Sequence, residues 1–238
     1  MIIEVKNVYK SFKRQQVLKN ITLDIEQKEI FGLLGPSGAG KTTLIRVIVG
    51  AINSDSGTVK VDNLLIPNMD SLKIIGFMPQ SDALYEDISG VDNLRFFGKL
   101  YGLKGIKLKE RVEEVLELVD LTGDAKKYVM YYSGGMKKRL SLGVSLIHQP
   151  KVLILDEPTV GIDPLLRKKV WDEFTRLKER GTTIVVTTHV MDEAVKCDRV
   201  GLIYDGELIA CDYVDKLLEQ TPNHSLEDLF FQTKEASI

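Results

Sequence analysis

Apolar and polar positions change period along this chain, and the changes mark its elements. Ile21, Leu23 and Ile25 alternate with Thr22, Asp24 and Glu26, the period-two pattern of a half-buried antiparallel strand. Met1, Ile3 and Val5 alternate more weakly with Ile2, Glu4 and Lys6, and Val59 and Val61 repeat the pattern after Gly57. A small antiparallel sheet is expected from residues 1–30 and 57–65. Unbroken apolar runs behave differently. Val152-Leu-Ile-Leu155 fits a strand buried on both faces of a parallel sheet, and Thr182–His189 reads as another buried strand, ending in a histidine. Ile30–Leu34 and Ile74–Met78 are further short apolar runs, the second stopped by Pro79, which cannot donate to a ladder.

Between residues 89 and 130 the period becomes helical. Ser89-Gly-Val-Asp92 reads as a capping box, and Leu108, Val112, Val115, Leu116 and Val119 recur among Lys, Glu and Arg. A helix is expected over Met136–His148 with Leu140, Val144 and Ile147 on one face, and another after Gly161-Ile-Asp163-Pro164 with Val170, Phe174 and Leu177 inward. Leu202–Ile209 predicts a hairpin through Asp205-Gly206, and Ser225–Phe231 a short terminal helix. The expectation is one α/β domain over residues 1–238. Its core with the antiparallel part takes about 1–84 and 146–238, and a helical subdomain about 85–145.

The chain has 238 residues, enough for one sizeable core with an attached subdomain. Thirty-two basic and 34 acidic residues leave a net charge of −2, which gives no basic footprint for nucleic acid. No apolar run approaches the ~20 residues that span a bilayer. The start, Met-Ile-Ile-Glu-Val-Lys, lacks the features of a signal peptide. Cys197 and Cys211 stand in no metal spacing and read as small apolar fillers.

Chemistry enters at Gly35-Pro-Ser-Gly-Ala-Gly-Lys41-Thr42-Thr43, which fits G-x-x-x-x-G-K-[ST] between an apolar run and a helical pattern. Gly35, Gly38 and Gly40 let backbone N–H groups turn toward phosphate oxygens; Pro36, Ser37 and Ala39 complete the loop. Lys41 supplies charge for β- and γ-phosphates, Thr42 a hydroxyl for Mg²⁺, and the helix beginning near Lys41 its positive dipole end. The motif implies a nucleoside triphosphate. Val152–Leu155 ends in Asp156 and Glu157. Two acids closing a buried strand are costly unless used, and they fit a Mg²⁺ ligand and a base for an attacking water. Other signals are ambiguous alone. Ser133-Gly134-Gly135 is a helix cap or a second anion site. Gln80 is a loop residue, His189 a strand-end histidine, and Phe12, before the turn leading to Val17, a strand-end core residue or a base-stacking ring.

The order of these motifs resembles the nucleotide-binding subunit of an ABC transporter over nearly the whole chain. The resemblance implies a P-loop NTPase (RecA-like) fold: a mostly parallel sheet, an antiparallel β subdomain and a helical insert. It implies ATP hydrolysis with Mg²⁺. Gly35–Thr43 would be Walker A, Gln80 the Q-loop contact to Mg²⁺ and water, and Tyr132–Met136 the signature. Val152–Glu157 would be Walker B with its catalytic acid, Asp163 the D-loop residue, His189 the switch histidine, and Phe12 the adenine-stacking ring near Val17. Tyr132 and Met136 replace the ends of the usual Leu-Ser-Gly-Gly-Gln, which is similar to the drug- and lipid-export branch of ABC-2 type. The implied partners are an integral membrane permease and a second copy, or a homologous ATPase, facing head to tail at the cytoplasmic face of the membrane. The other class considered is a soluble ABC ATPase working on nucleic acid or ribosomes; its members resembling DNA-repair proteins carry a coiled coil or zinc hook in the insert, and its ribosomal members carry two cassettes. A P-loop kinase or GTPase would lack Ser-Gly-Gly and the terminal His. Lys28 stands where this family commonly has Gly, and a turn requiring positive φ would strain it by about 1 kcal/mol.

Overall fold

The structure, a computed structural model, describes residues 1–81 and 83–235, with side chains through Phe230. The chain opens with β1 (Ile3–Phe12) and β2 (Gln15–Ile25), an antiparallel pair, and enters the second sheet with β3 (Ile30–Leu34). Then come α1 (Lys41–Ile48), β4 (Ser56–Val61), the two-residue β5 (Leu64–Leu65) and β6 (Ile75–Met78). Three helices follow: α2 (Gly90–Leu100), α3 (Gly105–Leu118) and α4 (Gly134–Leu146). The chain returns as β7 (Val152–Asp156), α5 (Pro164–Glu179), β8 (Thr183–Thr188), α6 (Met191–Ala194), β9 (Arg199–Tyr204) and β10 (Glu207–Tyr213), and ends in α7 (Val214–Glu219) and α8 (Leu226–Glu235).

Two sheets result. The antiparallel one has the order β2-β1-β4-β5, and the larger has the order β10-β9-β3-β8-β7-β6, parallel except for the β9–β10 hairpin. The unbroken apolar runs explain the larger sheet, because both its faces are covered. Phe31 and Leu33, Val152 and Ile154, and Val185 face a core shared with α1 and the antiparallel sheet. Ile30 and Leu34, Leu153 and Leu155, and Ile184 and Val186 face the opposite core, with Trp171 and Phe174 of α5. Every side chain along β7 is buried, so a polar residue anywhere but its end would lack a partner.

The helical insert has its own core, in which Leu94, Leu108, Val112, Val115 and Leu140 meet. Ser89 caps α2 by accepting from Asp92 N at 3.2 Å while its hydroxyl donates to the Asp92 carboxylate at 2.5 Å. Arg111 of α3 donates to Leu146 O and Ile147 O at 2.5 and 3.1 Å, tying the insert to the end of α4 just before β7.

Four sequence expectations need correction. Ile2 is buried beside Ile3 while Met1 is exposed, so period two begins only at Ile3; Ile2 N and O bond Ile25 and Asp62 and draw the residue inward. Residue 30 belongs to the parallel sheet, because Ile30 pairs with Ile184 rather than with β1. The fourth helix starts at Gly134 instead of Met136 and ends at Leu146, because Ser133 is its cap. Phe12 is 47% exposed, which rules out the core reading; its strand ends in a turn that carries the ring past the core. Lys28 takes φ 61°, so the strained turn is real, and its N–H is held by Thr183 Oγ1 at 2.9 Å. Among the described residues, no helix is long and apolar enough to cross a membrane.

Candidate active site

In a parallel sheet the carboxyl ends of the strands share one edge, and ligands bind there. Here β3 ends at the glycine loop, β6 just before Gln80, β7 at Asp156 and β8 just before His189. Pairings Leu34–Thr188, Asp156–Thr187 and Met78–Leu155 bring these ends level.

The loop makes its helix start without a side-chain cap. Gly40 is the N-cap at φ 110°, and a Cβ there would sit 2.9 Å from Val17 O. No side chain occupies the first N–H groups of α1, so they remain donors for an anion. Lys41 is 5% exposed and donates to Gly35 O at 2.7 Å and Pro36 O at 3.0 Å. Burial lowers its pKa, against the opposing pull of the Glu157 and Asp156 charges. A cavity of about 400 Å³ opens over this loop, lined by Ser37, Gly38, Gly40, Lys41, Thr42 and Thr43 together with Val17, Gln80 and Glu157. Gly35 and Pro36 turn their carbonyls to Lys41, and Ala39 is buried behind the loop.

The two acids have different surroundings. Asp156 is 1% exposed and accepts from Thr187 Oγ1 at 2.6 Å and from Thr42 Oγ1 at 3.2 Å. Glu157 sits on a left-handed backbone, φ 52°, a conformation that costs roughly 1–3 kcal/mol and concentrates at functional sites. Its N–H donates to Thr187 Oγ1 at 2.9 Å. Its carboxylate accepts from Gln80 Nε2 at 3.1 Å through Oε2, and His189 Nδ1 lies 3.1 Å from Oε1. A carboxylate only accepts, so His189 donates a proton from Nδ1 in this contact. Thr187, which holds both acids, was not singled out in the sequence. A threonine in a β-branched strand carries no mark of what its hydroxyl reaches.

The oxygen set suits Mg²⁺. Thr42 and Asp156 present a hydroxyl and a carboxylate from one side, and no group of three metal-ligating side chains occurs among the described residues. Mg²⁺ takes one or two carboxylates plus substrate phosphates rather than an all-protein cage.

The remaining candidates lie apart. Ser133, Gly134 and Gly135 begin α4, and Asp163 caps α5 by accepting from Leu166 N at 3.0 Å; none of them lines the cavity. Ser133 and Asp163 are exposed, and a Cβ on either glycine would meet no atom within 4 Å. Phe12 also stands outside the lining, at the end of β1, with Lys10 Nζ 5.5 Å from the ring centre.

A doubly covered parallel sheet with a glycine loop, a Lys-Thr pair and two acids at its carboxyl edge defines a P-loop ATPase. Residues 18–160 match the ABC transporter family, and this chain belongs to it. It is 42% identical over 212 residues to the linearmycin resistance ATP-binding protein LnrL of Bacillus subtilis, covering 88% of this chain and 68% of that protein. It is 39% identical to the Nod factor export ATP-binding protein I of Cupriavidus metallidurans, with 88% of this chain and 70% of that one covered. A probable multidrug ABC transporter ATP-binding protein of Escherichia coli, YbhF, is 37% identical over 97% of this chain, which spans only 41% of it. Among solved structures, the ATP-binding subunit of an ABC transporter superposes with a TM-score of 0.89 at 25% identity, covering 98% of this chain and 99% of that one. A dimeric ATP-binding cassette in a post-hydrolysis state with ADP and Pi gives 0.83 at 27% identity, over 89% and 98%. The chain is an ABC ATP-binding subunit and an ATPase.

Proposed function

We propose that this ATPase powers export through a separate membrane subunit, working as a head-to-tail pair at the cytoplasmic face of the membrane. The observation that carries the pairing is the separation of the two anion sites. The helix end at Ser133–Gly135 has Ser133 and Gly134 exposed and open space over both glycines, yet it does not line the cavity of its own chain. A two-fold pair would set it over the partner's glycine loop, forming two shared sites. Export rests on likeness to relatives named for linearmycin resistance and Nod factor export, and on the Tyr132…Met136 signature.

In this reading Phe12 stacks on adenine beside Val17. The N–H groups of the loop 35–43 and Lys41 bind the β- and γ-phosphates. Thr42 and Asp156, with Gln80 on the same cavity, would hold Mg²⁺, which would supply positive charge against the phosphates. Glu157 accepts the proton of the attacking water. His189 orients Glu157 through Nδ1. Ser133, Gly134, Gly135 and Asp163 act on the partner's nucleotide.

The test mixes two inactive variants. Lys41→Ala and Ser133→Arg each spoil both sites of a homodimer, so each alone should lose ATPase activity. A mixed dimer has one whole site, with the glycine loop of the Ser133→Arg chain and the Ser-Gly-Gly of the Lys41→Ala chain. ATP-dependent dimers should therefore return on mixing. Full activity of Ser133→Arg alone rejects the shared site. For the membrane subunit, cysteines placed near residues 80–105 should crosslink to a membrane protein; crosslinks mainly to ribosomal proteins or DNA would reject that partner.

A further inference from the structure

A buried acid outside the site joins the loops that carry Glu157 and His189. Glu193, on the short helix α6, is 2% exposed. Its Oε1 accepts from Thr159 Oγ1 at 2.6 Å, and its Oε2 from Thr188 Oγ1 at 2.8 Å. Both threonines are fully buried. Thr159 lies two residues after Glu157, and Thr188 immediately precedes His189. The Thr188 hydroxyl also accepts from Val190 N at 3.0 Å, closing a turn around His189. Arg167 Nε approaches Glu193 Oε1 to 3.6 Å, while its Nη2 donates to Ile162 O at 3.4 Å, beside Asp163.

We infer that Glu193 is a positioning residue: it braces the loop after Glu157 against the loop before His189, and so sets the 3.1 Å contact between those two side chains. The inference rests on the roles given to Glu157 and His189 above. Three observations support it. A buried carboxylate is costly unless it is paired and hydrogen-bonded, and here each oxygen takes a hydroxyl from a different catalytic loop. The two loops leave the sheet from adjacent strands, β7 and β8, and have no backbone ladder beyond Asp156–Thr187 to hold them level. Finally, the Glu157 backbone is left-handed, a conformation that persists only where its surroundings over-determine it. Through Arg167 and Ile162 the same carboxylate touches the stretch that ends at Asp163, which faces the second chain in the proposed pair.

The hydroxyl of Thr159 offers the cleanest test, because Thr→Val keeps the volume and removes the donor, while Thr→Ser keeps the donor. In the 238-residue chain, Thr159→Val should lower kcat by roughly 10- to 100-fold, the range seen when support behind a reacting group is removed. The KM for ATP should stay within about two-fold, because phosphate binding by the glycine loop is untouched. Thr159→Ser should recover most of the loss. Glu193→Gln should behave like Thr159→Val, and combining the two should add less than about two-fold, since both break one brace. If Thr159→Val keeps wild-type kcat, or if Val and Ser lower it equally, the brace is wrong, whether or not Glu193→Gln folds. ATP-dependent dimerisation of the unmodified chain is measured alongside. Its absence overturns the pairing but not the brace; a retained kcat in Thr159→Val overturns the brace but not the pairing.

Discussion

Two helix N-termini in this molecule suit an anion, and they are built in opposite ways. The start of α1 has no side-chain cap, a glycine at φ 110° and a lysine 5% exposed and held by two carbonyls of its own loop. The start of α4 is capped by its own Ser133, at 3.3 Å from Met136 N, and is exposed with open space over both glycines. The first is surrounded by its own chain: acids, Gln80 and a cavity wall. The second has no such surroundings. The contrast teaches that similar helix-start chemistry can be enclosed or left open by the same fold. The α1 end has residues of its own chain packed around it. The α4 end has open space over its glycines, and the proposed pair would bring its ligand from the second chain.

The comparison can be tested by breaking each side. The largest effect is expected at the enclosed side. Glu157→Gln keeps the shape and loses the basicity, so MgATP should still bind while hydrolysis slows at least roughly 100-fold, the low end of a general base's contribution. Single-turnover kinetics with a separate nucleotide-binding measurement check this. Near-normal turnover would move the base elsewhere, with His189 the first suspect.

At the open side, Gly134→Asp separates stability from function. The new side chain meets no neighbour, and an acid in the first turn of α4 favours the helix by about 0.3–1 kcal/mol. Thermal stability should hold or rise. ATPase activity should nevertheless fall at least about ten-fold, because a second negative charge against phosphate costs several kcal/mol. If activity follows stability, α4 is an ordinary capped helix and the contrast between the two ends disappears.

A smaller change is expected at Phe12. Phe12→Ala should raise the KM for ATP several-fold with little change in kcat, since stacking binds ground and transition states alike. An unchanged KM in a stable variant would remove the ring from the site. The smallest effect concerns strain. Lys28, like Glu157, is left-handed, but it precedes β3, whereas the glycine loop and the two acids lie past the carboxyl ends of the strands. Lys28→Gly should relieve about 0.5–1 kcal/mol, raising Tm by about 1–4 °C, with ATPase activity unchanged. A loss of activity there would mean that the turn is coupled to the site after all.

Much of the fold could be read in order along the chain. The both-faces-buried strands Val152–Asp156 and Thr183–Thr188 appear as apolar runs because each face meets a separate core. The helical insert is visible as a change of period, and its capping box as Ser89 and Asp92. Errors fell where a residue's neighbours, and not its own type, decide burial. Phe12 is apolar but lies past the end of its core, and Ile2 is held inward by backbone bonds outside β1.

The glycine loop was legible because its chemistry is contiguous: nine successive residues supply the turn, the donors, the lysine and the hydroxyl. The pairing of Gln80 and His189 on one carboxylate was not. Each alone reads as an ordinary loop or strand-end residue, and they are 109 positions apart, from 80 to 189. By itself the sequence determined which elements form and which residue types close them, because period and turn chemistry are local. Only the tertiary structure decided that β6, β7 and β8 lie side by side in parallel register, with Glu157 turned to φ 52° between Gln80 and His189 and Glu193 joining the loops behind them. The physical reason is that interstrand hydrogen bonds and buried hydroxyl–carboxylate contacts join residues by space, and nothing in one residue's type names the partner that strand order will bring to it.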